Sequence, residues 1–92
     1  MDDADDLMFG TAAQRASDQL GAELWNARRK FPPINSLHEG YGVICEEVKE
    51  FFDEVCLQAE NRSKERTRKE LLHIAVTAIR TAIDLGLMEQ DL

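Results

Sequence analysis

The stretch SLHEGYGVICEEVKEFFDEV, residues 36–55, decides the fold. Ser36-Leu37-His38-Glu39 is an S-x-x-E capping box, in which the serine oxygen takes one free backbone N–H and the glutamate covers another. A helix therefore starts here. Ile44, Val48, Phe51 and Val55 fall within about 60° of one another on a helical wheel and form an apolar stripe that Tyr41 and Phe52 widen. Gly40 and Gly42 are poor helix formers, and their place in the first turns predicts a close approach to the backbone, most simply by a neighbouring helix. The pattern predicts a helix over about 37–60.

Upstream, residues 7–30 are rich in Ala, Gln, Leu, Glu and Arg, with Ala13, Ala16, Leu20, Leu24, Ala27 and Phe31 recurring at three- and four-residue steps. This predicts an amphipathic helix over about 7–30. Gly21 weakens its middle by about 1 kcal/mol relative to Ala, which predicts a bend or a close backbone neighbour. Arg28, Arg29 and Lys30 suit its last turn, where the helix dipole favours cations, and Pro32-Pro33 stop it. Residues 1–6 are nearly all acidic and are expected to be poorly ordered, or at most to lend negative charge to the helix start.

Downstream, the polar stretch 58–68 holds the turn, with Asn61 or Ser63 able to cap a third helix over about 64–85 and Gly86 placed to end it. Leu71, Leu72, Ile74, Ala75, Val76, Ala78, Ile79, Ala82 and Ile83 cover an arc of about 200°, whereas a helix packed on one neighbour needs about 100°. The third helix must be covered from two sides. The expected fold is all-α: a single helical domain over 7–92 whose second and third helices form an antiparallel hairpin. Two copies, or a dimer of dimers, would pair such hairpins into a four-helix-bundle core.

At 92 residues, one small core is all the chain can build. With 43% apolar and 32% charged residues it is too hydrophobic for a disordered acidic tail and too charged for a membrane protein. Its apolar runs fall far short of the ~20 residues needed to span a bilayer, and MDDADD lacks the basic flank and apolar stretch of a signal peptide. A cytoplasmic protein is expected. Eighteen acidic against 11 basic side chains, a net charge of −7, disfavour a nucleic-acid polymer as partner. Cys45 and Cys56 would lie roughly 16 Å apart along one helix, too far to bridge, and read as small core or interface residues. Trp25 and Tyr41 could stack on a base, but large aromatics on a small helical domain more often fill a core or a subunit interface.

Glu46, Glu47, Glu50, Asp53 and Glu54 place five carboxylates in nine residues, with Lys49 the one cation among them. Glu47, Glu50 and Glu54 share a stripe beside the apolar face, where like charges oppose one another unless a cation sits on them. An antiparallel hairpin turning near Asn61 and Arg62 would set Glu50 beside His73 and Asp53 beside Glu70, so that acidic groups of two helices converge. Simple solvent exposure accounts for Glu70 and His73 equally well. No G-x-x-x-x-G-K-[ST] loop, G-x-G-x-x-G or Ser/His/Asp grouping is present, which removes P-loop, Rossmann and serine-hydrolase chemistry.

The run EEVKE (Glu46 to Glu50), a gap of about twenty residues and then KELLH within an apolar helix resemble the MazG-type all-α nucleoside triphosphate pyrophosphohydrolases, whose signature is EExxE followed by ExxD. The resemblance covers about residues 35–86, including HEGYGVICEEVKEFFDEV and the preceding KFPPINS. It implies a metal site of Glu47, Glu50, Glu70 and, where the family has aspartate, His73, holding Mg²⁺ or Mn²⁺. Neutral imidazole favours softer ions and removes one negative charge, so Mg²⁺ affinity should fall.

The implied reaction is hydrolysis of a (deoxy)nucleoside triphosphate between its α and β phosphates, with Glu46 or Glu54 accepting a proton and Lys49 or Arg80 contacting phosphate. The alternative is a non-catalytic bundle of the same descent that acts as an interaction or assembly module through the wide apolar face of its third helix.

Overall fold

Ser36 Oγ accepts the Glu39 N–H at 3.0 Å, and Glu39 Oε2 accepts the Asn35 N–H at 3.0 Å, so the capping box forms and the second helix starts at Leu37. The computed structural model describes residues 3–89. Among these residues the chain is all helical and without strands: α1 (Asp3–Lys30), α2 (Leu37–Val55), a single 3-10 turn (Ala59–Asn61) and α3 (Lys64–Asp84). It divides into two compact units between Phe31 and Pro32.

The first unit is α1. The described residues are helical from Asp3, upstream of the expected Leu7, and Asp3, Asp5 and Asp6 lie in the first described turn, where carboxylates offset the positive end of the helix dipole. The acidic segment is thus helical from Asp3 onward; Met1 and Asp2 lie outside the described residues. Arg28, Arg29 and Lys30 close the last turn as expected. Leu20, Leu24 and Ala27 are half-buried, whereas Leu7, Met8, Phe9 and Trp25 are exposed. A Cβ on Gly21 would meet nothing within 4 Å, so no backbone neighbour approaches there.

The second unit is the hairpin of α2 and α3, which pack on each other. α2 ends at Val55 instead of near residue 60, and the cause is long-range. Arg62 donates from Nε to the Leu57 carbonyl and from its terminal nitrogen to the Val55 carbonyl, satisfying acceptors that the end of α2 leaves open. Glu54, buried at the same end, accepts the Ser63 N–H at 2.9 Å and pairs with Arg66 Nε at 3.2 Å. Ser63 in turn caps α3 through its hydroxyl, which accepts the Arg66 N–H. The loop therefore centres near Glu60, and the facing pairs are Glu47 with His73, Glu54 with Arg66 and Gly40 with Thr81. The register differs from the expected one by three residues on α2: Glu47, not Glu50, stands beside His73, and Asp53 pairs with Lys49 on its own helix instead of meeting Glu70.

At the open end of the hairpin, Asp84 Oδ2 accepts the Ile34 N–H at 2.9 Å and Arg80 donates to the Pro32 carbonyl. Gly86, at φ 75°, closes α3 as the sequence predicts: its N–H bonds the Ile83 carbonyl and the Leu87 N–H bonds that of Ala82, the two bonds of a Schellman cap.

Gly40 is buried against Thr81, where an added Cβ would lie 2.9 Å from Oγ1 and closer still to the methyl group. Thr81 cannot turn aside freely, because it is buried and its hydroxyl donates to the Thr77 carbonyl. A Cβ on Gly42 meets nothing. Gly40→Ala should therefore destabilise by about 1–3 kcal/mol through overpacking, while Gly42→Ala should stabilise by up to ~1 kcal/mol through helix propensity alone. Urea unfolding of the two variants checks the opposite signs.

The apolar interior is small. Among the described residues Ile34 and Val76 are the buried hydrophobic ones, and none of the larger side chains is fully buried. α2 exposes Leu37, Tyr41, Val48, Phe52 and Val55 along one face, and α3 exposes Leu71, Ala75 and Ala78 at helical spacing. Cys45 and Cys56 are free and exposed in the single chain, as are Trp25 and Tyr41, so none of the four fills its core. No described helix is long and apolar enough to cross a membrane.

Candidate metal centre

The seam of the hairpin carries polar groups where a helix pair usually carries leucines. From α2 come Glu47 and Glu50, one turn apart; from α3 come Glu70 and His73, also one turn apart, as a Glu-x-x-His pair. Each of the four offers one ligand atom, and these atoms all lie within 4.8 Å of one another. His73 Nδ1 stands 3.6 Å from Glu47 Oε2, with side-chain exposures of 33% and 21%. The two helices thus bring together the four residues named from the sequence as metal ligands, even though the hairpin register differs.

The electrostatics are those of a site short of positive charge. The Glu47 carboxyl is pushed above its usual range first by burial and next by the charge of Glu50, with a hydrogen bond to Glu50 and the charge of Glu70 adding to this and His73 opposing it. Glu70 is raised as well, first by burial, then by a hydrogen bond to Glu50 and its charge, against the pull of His73 and Lys69. Glu47 Oε2 and Glu70 Oε2 are both closed to solvent and have no hydrogen-bond partner. Leaving a buried acceptor unsatisfied costs about 1–3 kcal/mol, more if it is charged. A divalent cation among the four would give both oxygens a partner and reverse the repulsion. The donor set of three carboxylates and one imidazole fits such an ion.

The remaining residues named from the sequence lie elsewhere or do other work. Glu46 is exposed and lies beside Glu47 in the chain. Lys49 is exposed and pairs with Asp53 at 3.3 Å. Glu54 is not available as a proton acceptor. Its two oxygens are taken by the Ser63 N–H and Arg66, and these bonds, the first foremost, hold its carboxyl below the usual range against the opposing effect of burial. Arg80 is occupied by the Pro32 carbonyl and by Asp84, 3.6 Å from its Nε. Both are structural ties at the two ends of the hairpin. Neither the Glu54–Ser63 bond nor the Asp84–Ile34 bond was legible beforehand, since each joins residues whose local patterns suggest only helix and loop. The chain matches no protein-family model, no curated protein and no solved structure.

Proposed function

We propose that this protein is a metal-dependent nucleoside triphosphate pyrophosphohydrolase of MazG-like type, which cleaves between the α and β phosphates. One observation supports the reading above the others. The four residues that the EExxE and KELLH runs single out bring ligand atoms to one point of the α2–α3 seam, with two carboxylate oxygens there wanting a partner. Glu47, Glu50, Glu70 and His73 would hold a divalent ion, Mg²⁺ or Mn²⁺ on the resemblance. Once bound, the ion would neutralise phosphate charge and acidify a water. Glu46, exposed at the rim, is the remaining candidate to accept a proton, and Lys49 can leave its solvent-exposed pairing with Asp53 at little cost to meet a phosphate.

The active assembly in this reading is a homodimer. The exposed stripe Tyr41, Val48, Phe52 and Val55 on α2 and the row Leu71, Ala75 and Ala78 on α3 would be covered by a second hairpin, completing a four-helix core. Purified protein with divalent ion should release pyrophosphate from (d)NTPs, and Glu50→Ala should lower turnover by about 100-fold or more. A non-catalytic assembly module is the second reading, favoured by the diversion of Glu54 and Arg80 into structural ties and by the histidine at the fourth ligand position. No pyrophosphate release under any divalent ion would decide for the module.

A further inference from the structure

We infer that His73 turns this centre into one that selects a divalent first-row transition ion over Mg²⁺. The inference rests on the metal-centre reading above and adds to it the kind of ion. Mg²⁺ demands near-octahedral oxygen ligation and gains little from an imidazole nitrogen. Here one of four donors is nitrogen, and it does not stand aside: His73 Nδ1 lies 3.6 Å from Glu47 Oε2, within the 4.8 Å cluster of ligand atoms.

Three features of the chain point the same way. Three carboxylates and an imidazole can offer an ion at most three negative charges where four carboxylates could offer four, which weakens the hold on a purely electrostatic partner such as Mg²⁺ more than on an ion that gains from nitrogen donation. Glu70 and His73 are three residues apart on one helix, projecting towards two glutamates of a second helix. Helical bundles bind iron and manganese with Glu-x-x-His pairs of this kind, there one on each of two helices with single glutamates from two others, whereas here one such pair faces two glutamates of a single helix. The oxygens closed to solvent on Glu47 and Glu70 come one from each helix, so an ion that joined them would span the seam next to the imidazole.

The full-length chain is titrated calorimetrically with Co²⁺ and with Mg²⁺, and the Co²⁺ complex is followed by its visible absorption. The same measurements are made on His73→Asp. Wild-type protein should bind one Co²⁺ per chain more tightly than Mg²⁺. In His73→Asp the ratio of Co²⁺ to Mg²⁺ affinity should fall by about tenfold or more, and the Co²⁺ bands should move as nitrogen leaves the ligand set. Should His73→Asp fail to fold, His73→Gln, neutral and without a ring nitrogen, serves the same comparison. An unchanged ratio and unmoved bands would overturn the selectivity while leaving the metal centre standing. Failure of the wild-type chain to bind either ion would overturn both.

Discussion

Glu47→Gln should weaken divalent-ion binding by about 100-fold or more and yet leave the metal-free chain more heat-resistant than the wild type at neutral pH. The two effects have one cause. Glu47 is held against Glu50, Glu70 and His73, with one oxygen closed to solvent and without a hydrogen bond. Its carboxyl, raised by burial and then by Glu50, is easier to ionise in the unfolded chain than in the folded one. A carboxylate raised in this way opposes folding above its folded-state value, and the opposition fades as pH falls and the folded chain takes up the proton. Glutamine keeps the shape without the charge, so the melting temperature of the metal-free variant should exceed that of the wild type by a few degrees near pH 7. The gap should close as pH falls through the carboxylate range.

Glu54 acts in the opposite sense in both proteins. Its depressed value means that its stabilising contribution is present above the ordinary carboxylate range and is lost as pH falls through the lowered one, so both proteins weaken together in stronger acid. Adding ion reverses the order. At an ion concentration of ~100 times Kd the wild type gains about 2.7 kcal/mol, while the variant, with affinity lower by about 100-fold or more, gains no more than about 0.4 kcal/mol. Thermal melts of both proteins across pH, with and without ion, check the crossing. A wild type more stable than the variant in the absence of ion would show that the cluster is a set of ordinary hydrogen bonds.

The second large effect is expected at Phe52. This side chain is 60% exposed on α2, in line with Tyr41 at 71%, Val48 at 45% and Val55 at 43%. With Ile34 and Val76 the buried hydrophobics among the described residues, the hairpin has little interior to sustain it alone, and domains this small commonly gain what is missing from a second copy. Phe52→Glu places a charge at the middle of the proposed contact, twice over if the contact is symmetric. Losing a central aromatic commonly costs 2 kcal/mol or more, so the dimer dissociation constant should rise by about 100-fold or more. Sedimentation of wild type and variant over a concentration series reads the result. A wild type that remains monomeric throughout would remove the four-helix core from the proposal.

Local pattern in the sequence is enough for the three helices and for the pair of carboxylates that α2 brings to the cluster. Ser36 and Glu39 announce the start of α2, Gly86 its counterpart at the end of α3, and the step from Glu47 to Glu50 sets two carboxylates on one face before any tertiary contact is known. Glu70 and His73 were named through the resemblance of KELLH to ExxD and then met their partners in the fold. What local pattern could not supply was the register. Residues 56–60 carry no strong helix breaker, so α2 reads as continuing, and only the reach of Arg62 back to Val55 and of Glu54 forward to Ser63 fixes where it stops. The same blindness assigned Glu54 and Arg80 to chemistry. Proximity in sequence to a motif does not show which carboxylate or guanidinium the fold needs elsewhere.

Those two residues have a consequence for how quickly the centre could exchange its occupant. Glu54 fastens one extremity of the rod pair and Asp84 with Arg80 fastens the other, leaving Glu47, Glu50, Glu70 and His73 on the span between the two anchorages. Backbone opening is then unnecessary for loading. If an ion binds there, its capture and escape would need rotamer swings led by the exposed Glu50, events of nanoseconds or faster, so its lifetime would be governed by the strength of its bonds and not by any gate.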